Sequence, residues 1–166
     1  MSLDHFLQWL DATHFSAIMR ESVWAEPLVE TIHVLTLTLF LGFVLLLDLR
    51  LLDLALRRKR VSEMFEQFNP WLFRGFAIMV VTGLLLFSAD PVNFYSTLFF
   101  KAKMIMLVLA GLNVALFNAT LGRRINEWDP APVTPWKVKL AGAVSLVLWI
   151  SIVACGRGIA YALPPP

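Results

Sequence analysis

A glutamate and a histidine, one helical turn apart, stand out as candidates for chemistry because they lie inside a long apolar segment. Glu30 and His33 occur between Trp24 and Arg50, and from Leu28 to Leu47 they are the two strongly polar residues. An imidazole can ligate a metal or a haem iron, and a nearby carboxylate can orient the ring or carry a proton. We therefore predict a candidate site at His33, with Glu30 in a catalytic, proton-handling role.

Apolar stretches of this kind recur and indicate an integral membrane protein. The 166 residues are 58% hydrophobic and 16% charged, whereas soluble domains average about 25% charged residues. A helix of about 20 apolar residues matches the ~30 Å hydrocarbon core of a bilayer. The predicted fold is all-α, an up-and-down bundle of four transmembrane helices with spans at about 28–50, 70–89, 98–121 and 140–162.

The residues before the first span are predicted to form an amphipathic helix at the membrane surface. Apolar side chains recur at helical spacing over residues 3–20, while Asp4, Gln8 and Asp11 occupy the other face. We assign residues 1–22 to this interfacial helix and residues 23–166 to the four-span bundle.

Basic loops predict the orientation in the membrane. Arg57 to Arg60 follow the first span, and Arg123, Arg124, Lys137 and Lys139 lie between the third and fourth spans. Cytoplasmic loops carry such an excess of Lys and Arg, so both termini are expected outside, on the periplasmic side of a bacterial inner membrane. The clusters reflect topology, and no nucleic-acid partner is expected. The expected partners are the lipid bilayer and either further copies of the chain or a larger membrane complex.

Residue counting places further charges at the depth of His33. Lys101, Lys103 and Arg157 all fall within about two turns of the outer boundary. Ionisable groups in a membrane are costly, so they normally face the bundle interior and find partners. This excess of positive charge beside an imidazole favours an anionic ligand. Haem b fits, because its iron takes a neutral imidazole and its propionates need cations. His33 is then the axial metal ligand, Lys101 and Arg157 are cofactor-binding residues, and Lys101 is also a catalytic candidate.

Other interpretations of the same residues are open. His33 could hydrogen-bond Glu30 or a neighbouring helix, because polar side chains also hold membrane helices together. The chain would then be a non-catalytic accessory subunit of a larger complex. Lys103 is expected to extend its ammonium to the outer interface.

Copper handling is a further alternative. His33 could bind copper or zinc together with Glu30 and His14. Met104 and Met106 could supply soft ligands for copper, although methionines in a span usually serve packing. His14 is also the plausible second imidazole for a haem with two histidine ligands. A di-iron site would need two E-x-x-H motifs and two further glutamates, and this chain has one such motif.

A second layer of charges is predicted at the inner boundary. Its members are expected to form structural ion pairs rather than a catalytic site; they are Asp48, Arg50, Asp53 and Arg74.

The order of these motifs resembles an uncharacterised family of bacterial four-span membrane proteins. Its members carry E-x-x-H in the first span, D-L-R-L-L at the inner end of that span, a lysine opening the third span and a Gly-Arg pair late in the fourth. The corresponding residues here are Glu30 to His33, Asp48 to Leu52, Lys101, and Gly156 with Arg157.

A more distant resemblance is to the HemJ-type protoporphyrinogen oxidases and the CopD-like copper-resistance membrane proteins. His33 and Lys101 match by position a first-span histidine and a third-span lysine of the HemJ type. Arg124, Asn126 and Glu127 resemble a pattern that precedes the last span there. This resemblance implies a haem b bundle that moves electrons or oxidises a small lipophilic substrate at the outer leaflet.

Overall fold

The computed structural model describes residues 3–130 and 133–162. The predicted interfacial helix (1–22) and four-span bundle (23–166) include residues 1–2, 131–132 and 163–166, which lie outside the described residues. In chain order the helices are α1 (Leu3–Asp11), α2 (His14–Glu21), α3 (Ala25–Leu51), α4 (Val61–Ala89), α5 (Pro91–Ser96), α6 (Leu98–Ala119), α7 (Ile125–Trp128) and α8 (Trp136–Ala162), with a 3₁₀ turn at Gly122–Arg124.

Four of these segments are long and apolar enough to cross a membrane, namely α3, α4, α6 with the turn and short helix that follow it, and α8. Their outward faces carry large exposed apolar side chains, such as Leu39 at 68%, Phe73 at 76% and Leu84 at 63% exposure. A water-exposed surface seldom carries so many, whereas lipid chains accept them. The prediction of an all-α, four-helix, multi-pass membrane protein in contact with the bilayer is confirmed.

The long helices pack in the order α4, α3, α8, α6. Helix α3 packs against both α4 and α8, and α6 packs against α8. Helices α4 and α6 are bridged by aromatic side chains at both ends. The ring centroids of Phe87 and Phe100 are 5.1 Å apart, and those of Phe65 and Phe117 are 5.6 Å apart. The core between the helices is Phe40, Val44, Ala110, Trp149 and Ile152.

The two ends of the bundle are named here by residues of α3. The end at which α3 begins is the His33 end, and the end at which it finishes is the Arg50 end. Helices α1, α2 and α5 lie at the His33 end, and α7 lies at the Arg50 end.

The N-terminal segment forms two short helices where the sequence predicts one. Thr13 separates them because its Oγ1 accepts a hydrogen bond from the Ser16 amide and caps α2. Ser16 is fully buried, and its hydroxyl donates to the carbonyl of Ser88 near the end of α4. Arg20 forms an exposed ion pair with Asp11 at 2.9 Å. The Arg20–Asp11 pair joins α1 to α2, and the contact of Ser16 with Ser88 docks them on the His33 end of the bundle.

Helix α4 begins at Val61, nine residues before the predicted start of the second span at residue 70. The carboxylate of Asp129 accepts hydrogen bonds from the amides of Val61 and Ser62, at 2.8 and 3.1 Å. These amides are among those that a helix start leaves unpaired, so Asp129 acts as a cap supplied from a distant part of the chain. Pro70 is accommodated inside the continuous helix.

Candidate functional site

His33 forms a hydrogen bond across the interface between α3 and α4. Its Nδ1 lies 2.7 Å from Oγ1 of Thr82, which is buried. The Thr82 hydroxyl lies 2.7 Å from the carbonyl oxygen of Ile78, one turn earlier in α4. A hydroxyl has one proton and a carbonyl can only accept, so we infer that Thr82 donates to Ile78 and that Oγ1 accepts from the Nδ1–H of His33. This tautomer places the imidazole lone pair on Nε2, where it can ligate a metal or accept a proton.

Two glycines lie close to His33 and Lys103. A Cβ added to Gly83 would lie 3.5 Å from Cε1 of His33, and one added to Gly156 would lie 3.7 Å from Nζ of Lys103. These are van der Waals distances, so any larger side chain would occupy the volume next to the imidazole and the ammonium. The glycines therefore allow the backbones of α4 and α8 to lie close to the imidazole and the ammonium.

Lys103 is the cation of α6 that faces α8. Its side chain is half-buried, and its Nζ lies 3.7 Å from a Cβ built on Gly156. This placement differs from the extension to the interface that the sequence suggests, because the packing of α6 against α8 turns Lys103 inward.

Lys101 and Arg157 lie at the surface, each over a tyrosine ring. The Lys101 ammonium is 5.0 Å from the ring centroid of Tyr95, and the Arg157 guanidinium is 5.2 Å from that of Tyr161. Both cations are exposed. The structure therefore places them at the His33 end, but on the outside of the helices rather than beside His33.

Glu30 and His14 are also exposed. In the described chain the hydrogen-bond partner of His33 is Thr82 on the neighbouring helix, and not Glu30 on its own helix. Over residues 3–130 and 133–162, no three His, Cys, Asp or Glu side chains come together as a group that could hold a metal ion. A haem needs as little as one imidazole from the protein, because the porphyrin supplies four nitrogens, so His33 alone is compatible with it.

Thr82 is the site residue that the sequence did not reveal. A threonine in an apolar span is unremarkable, since its hydroxyl can bond to the preceding turn. The signal that could have identified Thr82 is its depth in the bundle, which is the same as that of His33. Thr82 lies seven residues before the end of α4 at Ala89, and His33 lies eight residues after the start of α3 at Ala25. Two antiparallel helices place these residues at the same level.

At the Arg50 end, Asp53 connects two cations and a threonine. Its carboxylate lies 3.1 Å from Nη1 of Arg50 and 2.9 Å from Nζ of Lys139, and it accepts a hydrogen bond of 2.6 Å from the Thr134 hydroxyl. Burial alone would raise the pKa of Asp53, but the hydrogen bonds from Thr134 and Lys139 outweigh it and lower the pKa to about 2. The ion pair expected between Arg50 and Asp53 is present.

Asp48 and Arg74, the other members of the predicted inner layer, take no part in this network. Asp48 is 4% exposed, and its Oδ2 has no hydrogen-bond partner among the described residues. Arg74 is exposed, with its guanidinium 5.9 Å from the centroid of the Trp71 ring. Among the described residues, Asp48 and Arg74 form no ion pair, contrary to the expectation, because Asp48 faces α8 and Arg74 faces outward.

Comparison with known proteins identifies one family. A family model described as "Family of unknown function (DUF6644)" matches residues 6–162. No curated protein and no solved structure gives a significant match. The family match agrees with the resemblance to an uncharacterised four-span family that the motifs suggest.

Proposed function

Because the chain belongs to the DUF6644 family, whose function is unknown, we propose from its own residues that it is a haem b-binding membrane protein with His33 as an axial ligand. The observation that carries this proposal is the hydrogen-bond chain from His33 through Thr82 to Ile78. A ligating imidazole usually donates its second ring N–H to a fixed acceptor, which sets the tautomer and orients the ring. The buried Thr82 hydroxyl is such an acceptor.

The surrounding cations support the same cofactor. Lys103, half-buried at the level of the site, is suited to a haem carboxylate, and Lys101 and Arg157 are available for carboxylates that reach the membrane boundary. When bound, the haem would supply one-electron redox chemistry, so we propose an electron-transfer or oxidoreductase role.

In this proposal, exposed side chains transfer protons between the site and water. Glu30 and Lys101 lie near the His33 end and are open to solvent or headgroups, so they can exchange protons with water on that side. The distant resemblance to HemJ-type oxidases, which rests on His33 and Lys101, supports a haem b bundle and leaves the substrate open.

We further propose that the protein lies in a bacterial inner membrane with its Arg50 end in the cytoplasm. The support is the concentration of cations there, from Arg57 to Arg60 and at Arg123 and Arg124. Both chain termini would then be periplasmic. An alkaline phosphatase fused after residue 166 should be active and a green fluorescent protein dark, and the reverse result would overturn this orientation.

A second candidate function draws on the same hydrogen bond. The contact between His33 and Thr82 also joins α3 to α4, and polar bonds between membrane helices stabilise a bundle by ~0.6 kcal/mol on average. In this alternative the protein is a non-catalytic subunit of a larger membrane complex. A protein-only copper site would need a cluster of ligands, and the exposed Glu30 and His14 do not form one with His33.

The absorption spectrum of the purified protein distinguishes these functions. Protein expressed with a haem supply should show a Soret band and, after dithionite, a b-type α band. His33→Ala should abolish both bands, while His5→Ala, which alters an exposed histidine of α1, should leave them unchanged. His14→Ala tests the second ligand, and elemental analysis for copper runs in parallel. A folded, colourless protein that takes up no added haemin would refute the haem proposal and leave the accessory role.

A further inference from the structure

A basic cavity of about 540 Å³ lies at the Arg50 end, remote from His33. Six cationic side chains and two carboxylates line it, which gives a formal charge of +4. The cations are Arg50, Arg57, Arg58, Lys59, Arg60 and Lys139. So strong an imbalance in one concave surface favours an anionic ligand.

The loop between α3 and α4 is folded so that it holds its cations against the segment before α8. Asp53 and Leu56 have left-handed backbone conformations, with φ of 58° and 51°, which reverse the chain directly after α3. Nε of Arg50 donates a hydrogen bond of 2.7 Å to the carbonyl of Lys59, and Nε of Arg57 donates to the carbonyl of Asp53. The basic run is therefore a built wall of the cavity and not a free extension of α3.

The two carboxylates of the cavity are already engaged. Asp53 pairs with Arg50 and Lys139, and Asp129 caps the start of α4, where hydrogen bonds from Ser62 and Val61 outweigh its burial and lower its pKa. The charges of Arg57 to Arg60 are therefore not neutralised by these two carboxylates, and they give the cavity its excess of positive charge.

We infer that this cavity binds the phosphate group of an anionic phospholipid. Arginine and lysine side chains recognise phosphate through charge-assisted hydrogen bonds. The cavity lies where α3 ends and α4 and α8 begin, the level at which lipid headgroups meet transmembrane helices. Free phosphate shares this chemistry, but the same loop also exposes Leu54 at 67% and Leu56 at 43%, which suit acyl chains and not an inorganic ion.

Native mass spectrometry of the full-length protein in detergent tests the inference. We expect phosphatidylglycerol to bind more tightly than phosphatidylcholine, which has the same acyl chains and no net charge. Arg58→Gln with Arg60→Gln should weaken the binding of phosphatidylglycerol about thirtyfold, for the loss of two cations near a phosphate. The matched control is Arg124→Gln with Lys137→Gln, which removes two exposed cations from the same end but outside the cavity; it should change binding less than threefold.

Three outcomes would overturn the inference. Equal weakening by the two double variants would show that surface charge acts without a defined site. Equal binding of phosphatidylcholine and phosphatidylglycerol would exclude recognition of the anion. The third outcome is that millimolar inorganic phosphate displaces the lipid and that Leu54→Ser changes the binding of neither ligand. This result would assign the cavity to a soluble anion. Circular dichroism and the melting temperature in detergent confirm that each variant is folded.

Discussion

Replacement of Thr82 by valine should separate the two candidate roles of His33. Valine keeps the shape of threonine but removes the hydroxyl that accepts from Nδ1 of His33 at 2.7 Å. A buried donor left without a partner destabilises a protein by ~1–3 kcal/mol. Double-mutant cycles show that a hydrogen bond between membrane helices contributes ~0.6 kcal/mol on average and at most ~1.7 kcal/mol. Because His33 is half-buried, we expect Thr82→Val to lower the free energy of unfolding by about 1 kcal/mol.

The effect on haem binding should be larger if His33 ligates iron. Loss of the group that orients a ligating imidazole typically lowers metal affinity 10–100-fold. Thr82→Val should therefore weaken haem binding by about that factor while the spectrum keeps its b-type character. Thr82→Ser is the matched control, because it retains the acceptor and loses only a methyl group.

Two titrations in detergent measure these effects. Haemin added to the apoprotein gives the affinity, and unfolding in mixed dodecyl sulfate micelles gives the stability. Haem affinity of the valine variant within twofold of the native value, or a serine variant as weak as the valine variant, would refute the orienting role of Thr82. A stability change of about 1 kcal/mol with no haem binding in any variant would instead favour the accessory function.

Three further predictions concern packing and charge. Asp53→Asn should lower the free energy of unfolding by about 2 kcal/mol at pH 7, because the folded state lowers the pKa of Asp53 from 3.8 to about 2. The stabilisation by the native carboxylate is present above pH ~4 and is lost as the pH falls towards ~2. A difference in unfolding free energy that does not change with pH would contradict this prediction. Gly158→Ala should lower the free energy of unfolding by ~1–3 kcal/mol, because the new Cβ would lie 2.7 Å from the ring of Phe99. The control is Gly111→Ala, whose new Cβ would have nothing within 4 Å. In the same unfolding assay it should be neutral or stabilise the protein by up to ~1 kcal/mol. Asp48→Asn should leave stability unchanged or raise it by ~1 kcal/mol, because Oδ2 has no partner among the described residues; a clear loss of stability would mean that this carboxylate has a binding role.

The membrane spans could be predicted because length and apolarity are local properties of the sequence. The first and fourth spans, expected at 28–50 and 140–162, are observed at Ala25–Leu51 and Trp136–Ala162. The second span was expected at residues 70–89, and the helix that contains it, α4, begins nine residues earlier at Val61. That helix start depends on Asp129, which is distant in the chain and caps the amide of Val61, and no local pattern indicates such a partner.

The depth of a charge could also be predicted from residue counts, but the direction in which it faces could not. Lys101 and Lys103 are two residues apart, so they point to roughly opposite sides of α6. Packing decides between them. Phe99 and Lys103, which share a helix face, lie against Gly158 and Gly156 of α8, so Lys103 is the inward cation and Lys101 faces out. Both glycines of the Gly-Arg-Gly motif therefore lie near side chains of α6, while Arg157 between them is exposed.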